Sequence, residues 1–325
     1  MKVALVGLGG AAVHGHLPAL RALEMQGLLN LVAAADHALK PRTRAEVTLR
    51  GVPVFTSAES MLASVESDIL IIATEPSSHA RLIELAFGHG VHVVCEKPLV
   101  VTQHHLAIAQ AAARGSRELA IMTTHQYRYS STWIRVSPWI RAANALGMPF
   151  SMLVEVGRPG VEDPHAASDW RTELSTSGGV LADHGAHFIA LAWMIDSTMS
   201  VLGGGRTYEG VGSERSWARI RVGSGVLELR MSTASSTRRS RVEVRVPGVS
   251  LDWQGGRAAL RVAGRGVASW RAGALSDRDY LDSLYPAFYR DCLHNLSDNR
   301  WRVRRSTESL DVGAVLVDLI ARLAE

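Results

Sequence analysis

The first 125 residues repeat one pattern, a short continuous apolar run followed by a segment with apolar residues at helical spacing. The runs are "KVALV" (2–6), "LNLVAAAD" (29–36), the short "VPVF", "DILIIAT" (68–74), "VHVVCEK" (91–97) and "LAIMTTHQ", which closes near residue 125. Between them lie "HLPALRALEMQG", "TRAEVTLRG", "AESMLASV", "SHARLIELAFGHG" and a helical stretch over about 103–114. A strand covered on both faces has no polar side to display, so the alternation predicts a doubly wound parallel sheet between helices.

After residue 125 the pattern changes to strands at short spacing with glycine-containing turns. These are "FSMLVEVG" (150–157), "RSWARIRVG" (215–223), "GVLELRMSTA" (225–234), "RSRVEVRVPG" (239–248), "VSLDW" and "AALRVAG". Polar and apolar residues alternate in "RVEVRV", as expected of an antiparallel sheet with one open face. "YPAFYRDCLHNL" and "STESLDVGAVLVDLIARLAE" read as closing helices, the second opening on a capping-box-like Ser306–Ser309 region helped by Glu308. Two domains are predicted: residues 1–125 around the parallel sheet, and residues 126–325 as an α/β domain with an open, mainly antiparallel sheet and C-terminal helices.

Composition excludes several classes. The formal charge is +4, yet the basic residues are scattered apart from "STRRSR" and "RWRVRR", with no nucleic-acid-binding motif beside them, so no nucleic-acid partner is expected. No apolar run reaches the length of a membrane span, and "MKVALVGLGGAAV" fits a strand and turn better than a signal peptide, so a cytoplasmic location with no membrane partner is expected. Cys95 and Cys292 are far apart and lack CxxC spacing, which suits reduced core thiols.

Two places carry chemistry. "GLGGAA" (7–12) follows the first strand and precedes a helix; Gly7 and Gly9, with Gly10 beside them and Ala12 third, match a glycine fingerprint that lets backbone approach a pyrophosphate. Asp36 ends the second strand, where a carboxylate accepts bonds from ribose hydroxyls and repels a 2′-phosphate. NAD is therefore the expected cofactor, while His37, Lys40, Arg42 and Arg44 leave NADP open. Lys97 is one of three lysines among 35 basic residues; a lysine's pKa is movable where arginine's is not, which makes Lys97 a candidate worker beside the plainer reading of a surface lysine. In "GGVLADHGAHFIALAWMI" (178–195), Asp183 and His187 stand four apart, on one face if the segment is an α-helix. They pair or serve a ligand; zinc held by Asp183, His184 and His187 is a competing reading, and no metal site is expected.

"GLGGAA", "IIATEPSSHARLIELAFGHGVHVVCEKPL", "DWR" (169–171) and "SGGVLADHGAHFIAL" (177–191) resemble, in this order and spacing, the glucose-fructose oxidoreductase / inositol dehydrogenase / MocA (Gfo/Idh/MocA) family. The resemblance covers essentially the whole chain. It implies a Rossmann domain followed by the open-sheet domain, an oxidoreductase acting on a secondary alcohol or ketone of a sugar, cyclitol or sugar-derived metabolite, and a homodimer or homotetramer assembled through the C-terminal sheet. By the same resemblance Lys97, Asp183 and His187 form the catalytic trio, and Thr74 and Pro76 line the nicotinamide side. Glu96 sits at the cofactor, Trp170 and Arg171 border nicotinamide or substrate, and the Lys97–Pro98 peptide is cis. His79, His125, Tyr127, Arg128, His165 and Arg171 offer donors for substrate hydroxyls. The chain departs from the family pattern at Ala190, where an acid is common, at Glu75, and at Ser77–Ser78. Imine reduction and NAD-dependent glycoside cleavage are alternative chemistries on such a scaffold, and a non-catalytic nucleotide-binding regulator is the alternative of another class.

Overall fold

The computed structural model describes residues 1–38, 51–159, 178–208 and 213–323. They form two compact units, Met1–Thr124 with Asp282–Leu310, and His125–Leu281 with Asp311–Glu325. Residues 282–310, which the sequence boundary at 125 assigns to the second domain, therefore belong to the first unit.

In the first unit, strands β1 (Lys2–Val6), β2 (Asn30–Ala35), β3 (Val54–Phe55), β4 (Ile69–Ile72), β5 (His92–Cys95) and β6 (Ile121–Thr123) form one sheet. Its order is β3-β2-β1-β4-β5-β6 and every pairing is parallel. Val3–Val6 and Ile69–Ile72 are buried throughout, which is why they read as unbroken apolar runs. Helix α1 (Leu17–Glu24) is entered through a π-helical turn at Ala12–His16. α2 (Ala58–Ser64), α3 (Pro76–Gly88) and α4 (Gln103–Gly115) complete the crossovers. The expected helix at 43–51 falls largely outside the described residues.

Strand β6 is one of the two edges, and an uncovered edge leaves backbone donors and acceptors without partners. The hydroxyls of Ser306 and Ser309 close it. Ile121 N–H donates to Ser306 Oγ and Thr123 N–H to Ser309 Oγ, each at 3.0 Å, and Ser309 Oγ donates to Ile121 O at 3.1 Å. The final helix starts at Asn299 and runs to Arg322. Ser306 and Ser309 are thus interior helix positions that serve a strand, rather than a cap, and Glu308 forms a buried pair with Arg305 at 3.0 Å.

In the second unit, β7 (Ser151–Gly157), β8 (Met199–Tyr208), β9 (Glu214–Val222), β10 (Gly225–Ser232), β11 (Arg239–Val246), β12 (Val249–Gln254), β13 (Arg257–Val262) and β14 (Arg265–Arg271) build an eight-stranded sheet in the order β14-β13-β12-β11-β7-β10-β9-β8. β7 and β10 pair in parallel and the other neighbours are antiparallel. Along β9 (Glu214–Val222) buried and exposed residues alternate strictly, so one face is core and the other open. Two strands escape the sequence pattern. β8 (Met199–Tyr208) contains Gly203–Gly205, and the Trp217 indole lies so close over Gly205 that a Cβ there would sit 2.5 Å from its Nε1. β14 (Arg265–Arg271) is exposed along nearly its whole length and shows no buried period.

Candidate active site

In the first unit, candidate residues gather at the carboxyl ends of β1, β2, β4 and β5. Strands β1 and β4 are neighbours whose connections leave in opposite directions, the crevice where open α/β sheets take their ligands. Gly7 has φ +87°, and a Cβ on it would lie 2.7 Å from the Ala73 carbonyl and 2.8 Å from Thr74 Cγ2, so only glycine lets the β1 turn pass the β4 loop. A Cβ on Gly9 or Gly10 would meet nothing within 4 Å, and both residues are exposed. The N–H groups of the helix's first turn, which have no partner inside the helix, face this open ground, so the turn fits a dinucleotide pyrophosphate.

Asp36 locks the turn from the second strand. Leu8 N–H donates to its Oδ2 at 2.7 Å and Ala38 N–H to its Oδ1 at 2.8 Å. Each oxygen keeps a second lone pair for a ribose hydroxyl, so this carboxylate also fits the group. Thr74 Oγ1 meets Ser78 Oγ at 2.7 Å, and buried Pro76 opens α3.

Glu96 and His79 are placed differently from the expectation. Glu96 is 5% exposed, and its Oε1 accepts from His16 Nε2 at 3.0 Å and from Tyr285 O–H at 2.8 Å, while Oε2 accepts from Lys97 N–H at 3.2 Å. Tyr289 O–H donates in turn to His16 Nδ1 at 2.5 Å. With the imidazole proton on Nε2, every donor in this chain meets an acceptor. Burial alone opposes the carboxylate's charge, but the hydrogen bond from His16, the Lys97 charge and the hydrogen bond from Tyr285 outweigh it and hold Glu96 well below the usual carboxylate range. Burial and the Glu96 charge push the Tyr285 hydroxyl up, which keeps it a donor. Glu96 thus points into the protein and anchors the residue beside it instead of facing outward to a cofactor.

His79 is fully buried, with Nδ1 3.1 Å from the Pro98 and Leu99 carbonyls and Nε2 3.2 Å from that of Thr74. Burial lowers its pKa. It is a strut between the loops after β4 and β5, with no surface to offer a substrate. Lys97 is half-buried at the end of β5, and its bond to Pro98 is cis, as expected.

The second unit holds a separate group of candidate residues. Gly178 and Gly179 have φ +70° and +76°, and a Cβ on Gly179 would lie 2.9 Å from the Glu214 carboxylate, which accepts Val180 N–H at 3.1 Å. This glycine pair brings the chain into a second π-helical turn, Leu181–Gly185, ahead of the helix Ala186–Trp193. Such turns recur at functional sites. Each unit contains one, at Ala12–His16 in the first and at Leu181–Gly185 in the second.

The wider turn changes the pairing drawn from α-helical spacing. Asp183 Oδ2 accepts from Arg158 Nη1 at 2.9 Å, and the same guanidinium nitrogen lies 2.8 Å from His184 Nε2. His187 is 3% exposed and stacks flat on Tyr127. A guanidinium bonded to both Asp183 and His184 is incompatible with those two converging on a metal ion. His125 is buried at the start of the 3₁₀ turn that carries Tyr127. His165, Trp170 and Arg171 lie outside the described residues. Sequence reasoning missed Arg158, His16, Tyr285 and Tyr289. Arg158 stands just past β7, a position with no motif; the other three announce themselves only once the chain is folded.

Residues 1–124 match the sequence profile of the Gfo/Idh/MocA family, described as "Oxidoreductase family, NAD-binding Rossmann fold". D-xylose 1-dehydrogenase (NADP(+)) 2 of Haloferax volcanii is 26% identical over 193 residues, 59% of this chain and 56% of that one. Inositol 2-dehydrogenase 4 of Saccharopolyspora erythraea is 28% identical over 148 residues, 45% and 43% of the two chains. The chain spans about half the length of the curated relatives it matches. Among solved structures, an oxidoreductase from Agrobacterium radiobacter in complex with NAD+, L-tartaric acid and magnesium has the same fold, with TM-score 0.80 at 19% identity over 100% of this chain and 96% of that one.

Proposed function

We propose, for a chain that belongs to the Gfo/Idh/MocA oxidoreductase family through its first 124 residues, an NAD(P)-dependent oxidation of a secondary alcohol, or reduction of the ketone, on a sugar, cyclitol or sugar-derived metabolite. The observation that carries this reading is the juxtaposition of the Gly7–Gly10 turn, Thr74 and Lys97 at the carboxyl ends of three adjacent strands, β1, β4 and β5. Relatives named as xylose and inositol dehydrogenases support the substrate class.

When bound, the nicotinamide supplies a hydride acceptor or donor. The Gly7–Gly10 turn and the helix that follows hold its pyrophosphate, Thr74 and Pro76 border the nicotinamide, and Asp36 takes the ribose hydroxyls and favours NAD over NADP by repelling a 2′-phosphate. His187 takes the hydroxyl proton of an alcohol substrate as its carbon gives up hydride, and returns that proton to the oxygen in the reverse direction. Lys97 donates to the same oxygen and stabilises the charge developing on it. Arg158 pairs with Asp183 and offsets that carboxylate's charge, which is compatible with a neutral polyol. Titration with NADH and NADPH, then a screen of polyols and their keto forms at the nicotinamide absorbance, tests the reading; absence of binding of either nucleotide overturns it.

The same reading extends to assembly through the open face of the eight-stranded sheet. One cross-strand row on that face is Trp217, Arg230, Glu155 and Arg241; the next is Arg219, Glu228, Leu153, Glu243 and Asp252; the one beyond carries Arg221 and Arg245. Rows of alternating sign beside a 45% exposed tryptophan are self-complementary across a two-fold axis lying between rows, which supports contact between two copies. Light scattering on the chain and on Glu228→Arg tests it, with dissociation expected in the variant.

A further inference from the structure

Arg158 is fixed by its own backbone before its side chain reaches the site. Its N–H donates to Ser232 O at 3.0 Å, and its carbonyl accepts Ser235 N–H at 3.2 Å, so the residue is tied to the chain leaving β10. From there a single nitrogen, Nη1, lies 2.9 Å from Asp183 Oδ2 and 2.8 Å from His184 Nε2, while that imidazole nitrogen is 3.6 Å from the carboxylate oxygen. All three side chains are mostly buried.

Arginine only donates, and Nη1 carries two hydrogens, enough for both neighbours. His184 Nε2 therefore presents its lone pair, which puts the imidazole proton on Nδ1 and leaves the ring neutral. A proton on Nε2 would set a second cation against the guanidinium and remove the acceptor from the bond. Among the described residues, Arg158, from the end of β7, and Asp183, from its own turn, are charged groups that face this imidazole.

We infer that Arg158 is a positioning residue of the site: it holds Asp183 as a carboxylate and locks His184 as a neutral Nδ1–H tautomer, so that proton exchange falls to His187, three residues on. This rests on the proposed reading of His187 as the base. The two histidines of one helix turn then differ in kind, one an acceptor for arginine and the other stacked on Tyr127. Without the guanidinium, the Asp183 carboxylate 3.6 Å away favours a proton on His184 Nε2, and His184 then competes with His187.

The test is a histidine-ring NMR titration of the full chain without ligand between about pH 5 and 8, on the wild type, Arg158→Gln, Arg158→Lys and His184→Gln. The signal lost in His184→Gln identifies the residue. Expected is a His184 that keeps its neutral Nδ1–H signature through the range in the wild type, titrates in Arg158→Gln, and returns toward wild-type behaviour in Arg158→Lys. In turnover, Arg158→Gln adds a second ionisation to the pH profile of kcat, and the further change His184→Gln removes it; a merely structural arginine would lower kcat without adding one. A wild-type His184 that titrates like a free imidazole, near about 6.5, overturns the inference, as does an unchanged signature in Arg158→Gln. Should Arg158→Gln not fold, the wild-type and Arg158→Lys spectra decide. The spectra need no substrate, so unchanged turnover in His187→Ala would overturn the base while leaving the arginine clamp to be judged by NMR.

Discussion

Tyr127 and His187 lie face to face, their ring centroids 3.9 Å apart and their planes 8° from parallel. The stack fixes the plane of the imidazole, and Phe188 packs against the edge of the same tyrosine at 5.6 Å. Removing the proposed base by His187→Ala is expected to cut kcat on the order of 10²–10⁴-fold with NADH affinity nearly unchanged. Tyr127→Phe keeps the stack and most of the rate, whereas Tyr127→Ala lets the ring tilt and loses on the order of 10²-fold. Steady-state kinetics beside a binding titration separates these outcomes.

Glu96 gives the fold a dependence on acid. Its folded-state pKa lies below the unfolded value, so the stability its charge contributes is fully present above about pH 4.3 and is lost as pH falls toward the folded value. Glu96→Gln removes the charge from the acceptor that His16 Nε2, Tyr285 O–H and Lys97 N–H share and is expected to cost about 1–3 kcal/mol at pH 7. Urea unfolding of both proteins through the acid range should show the gap closing below about pH 4.3; a constant gap would mean that the buried carboxylate carries no net advantage from ionisation.

The glycine turn separates folding from binding. Gly7→Ala meets the Ala73 backbone at a positive φ and is expected to lower both thermal stability and nucleotide affinity. Gly10→Ala meets nothing within the chain, so its Tm should stay near that of the wild type while affinity for NADH falls. Paired melting curves and nucleotide titrations decide it, and an unaltered affinity in Gly10→Ala would argue against a pyrophosphate at this turn.

Ser309 supports an edge at a distance in sequence. Ser309→Ala leaves Thr123 N–H and Ile121 O without their partner and is expected to cost about 1–3 kcal/mol. Hydrogen exchange should quicken at Thr123 ahead of the strands at the centre of the sheet.

The parallel sheet was legible because its central strands are buried on both faces and read as apolar runs. β8 was not, since Gly203–Gly205 have no side chains to show a period and Trp217, on another strand, covers them instead. An apolar stripe announces that a helix has a buried face but not which sheet receives it, so Tyr285–Asn295 was assigned to the wrong unit. The glycine turn, Asp36, Lys97 and Asp183 were visible through residue type and spacing. The pairing of Asp183 with Arg158 was hidden because the spacing argument assumed an α-helix where the chain makes a π turn. Glu96's partners were hidden by distance, 80 residues to His16 and 189 to Tyr285.

The serines that close β6 also set an order of events during synthesis. Ser306 follows Ile121 by 185 positions, and at ~5–20 residues per second the ribosome needs on the order of 10–40 s to make what lies between. For much of that interval the nascent first sheet has its strands but not the cover of its β6 edge, Glu96 has His16 but not Tyr285, and His16 lacks Tyr289. The N-terminal unit of this chain is therefore not a module that matures as it emerges. It waits for the segment around residue 300, and a nascent chain stalled before that point would expose a ready strand edge to chaperones or to its neighbours on the same message.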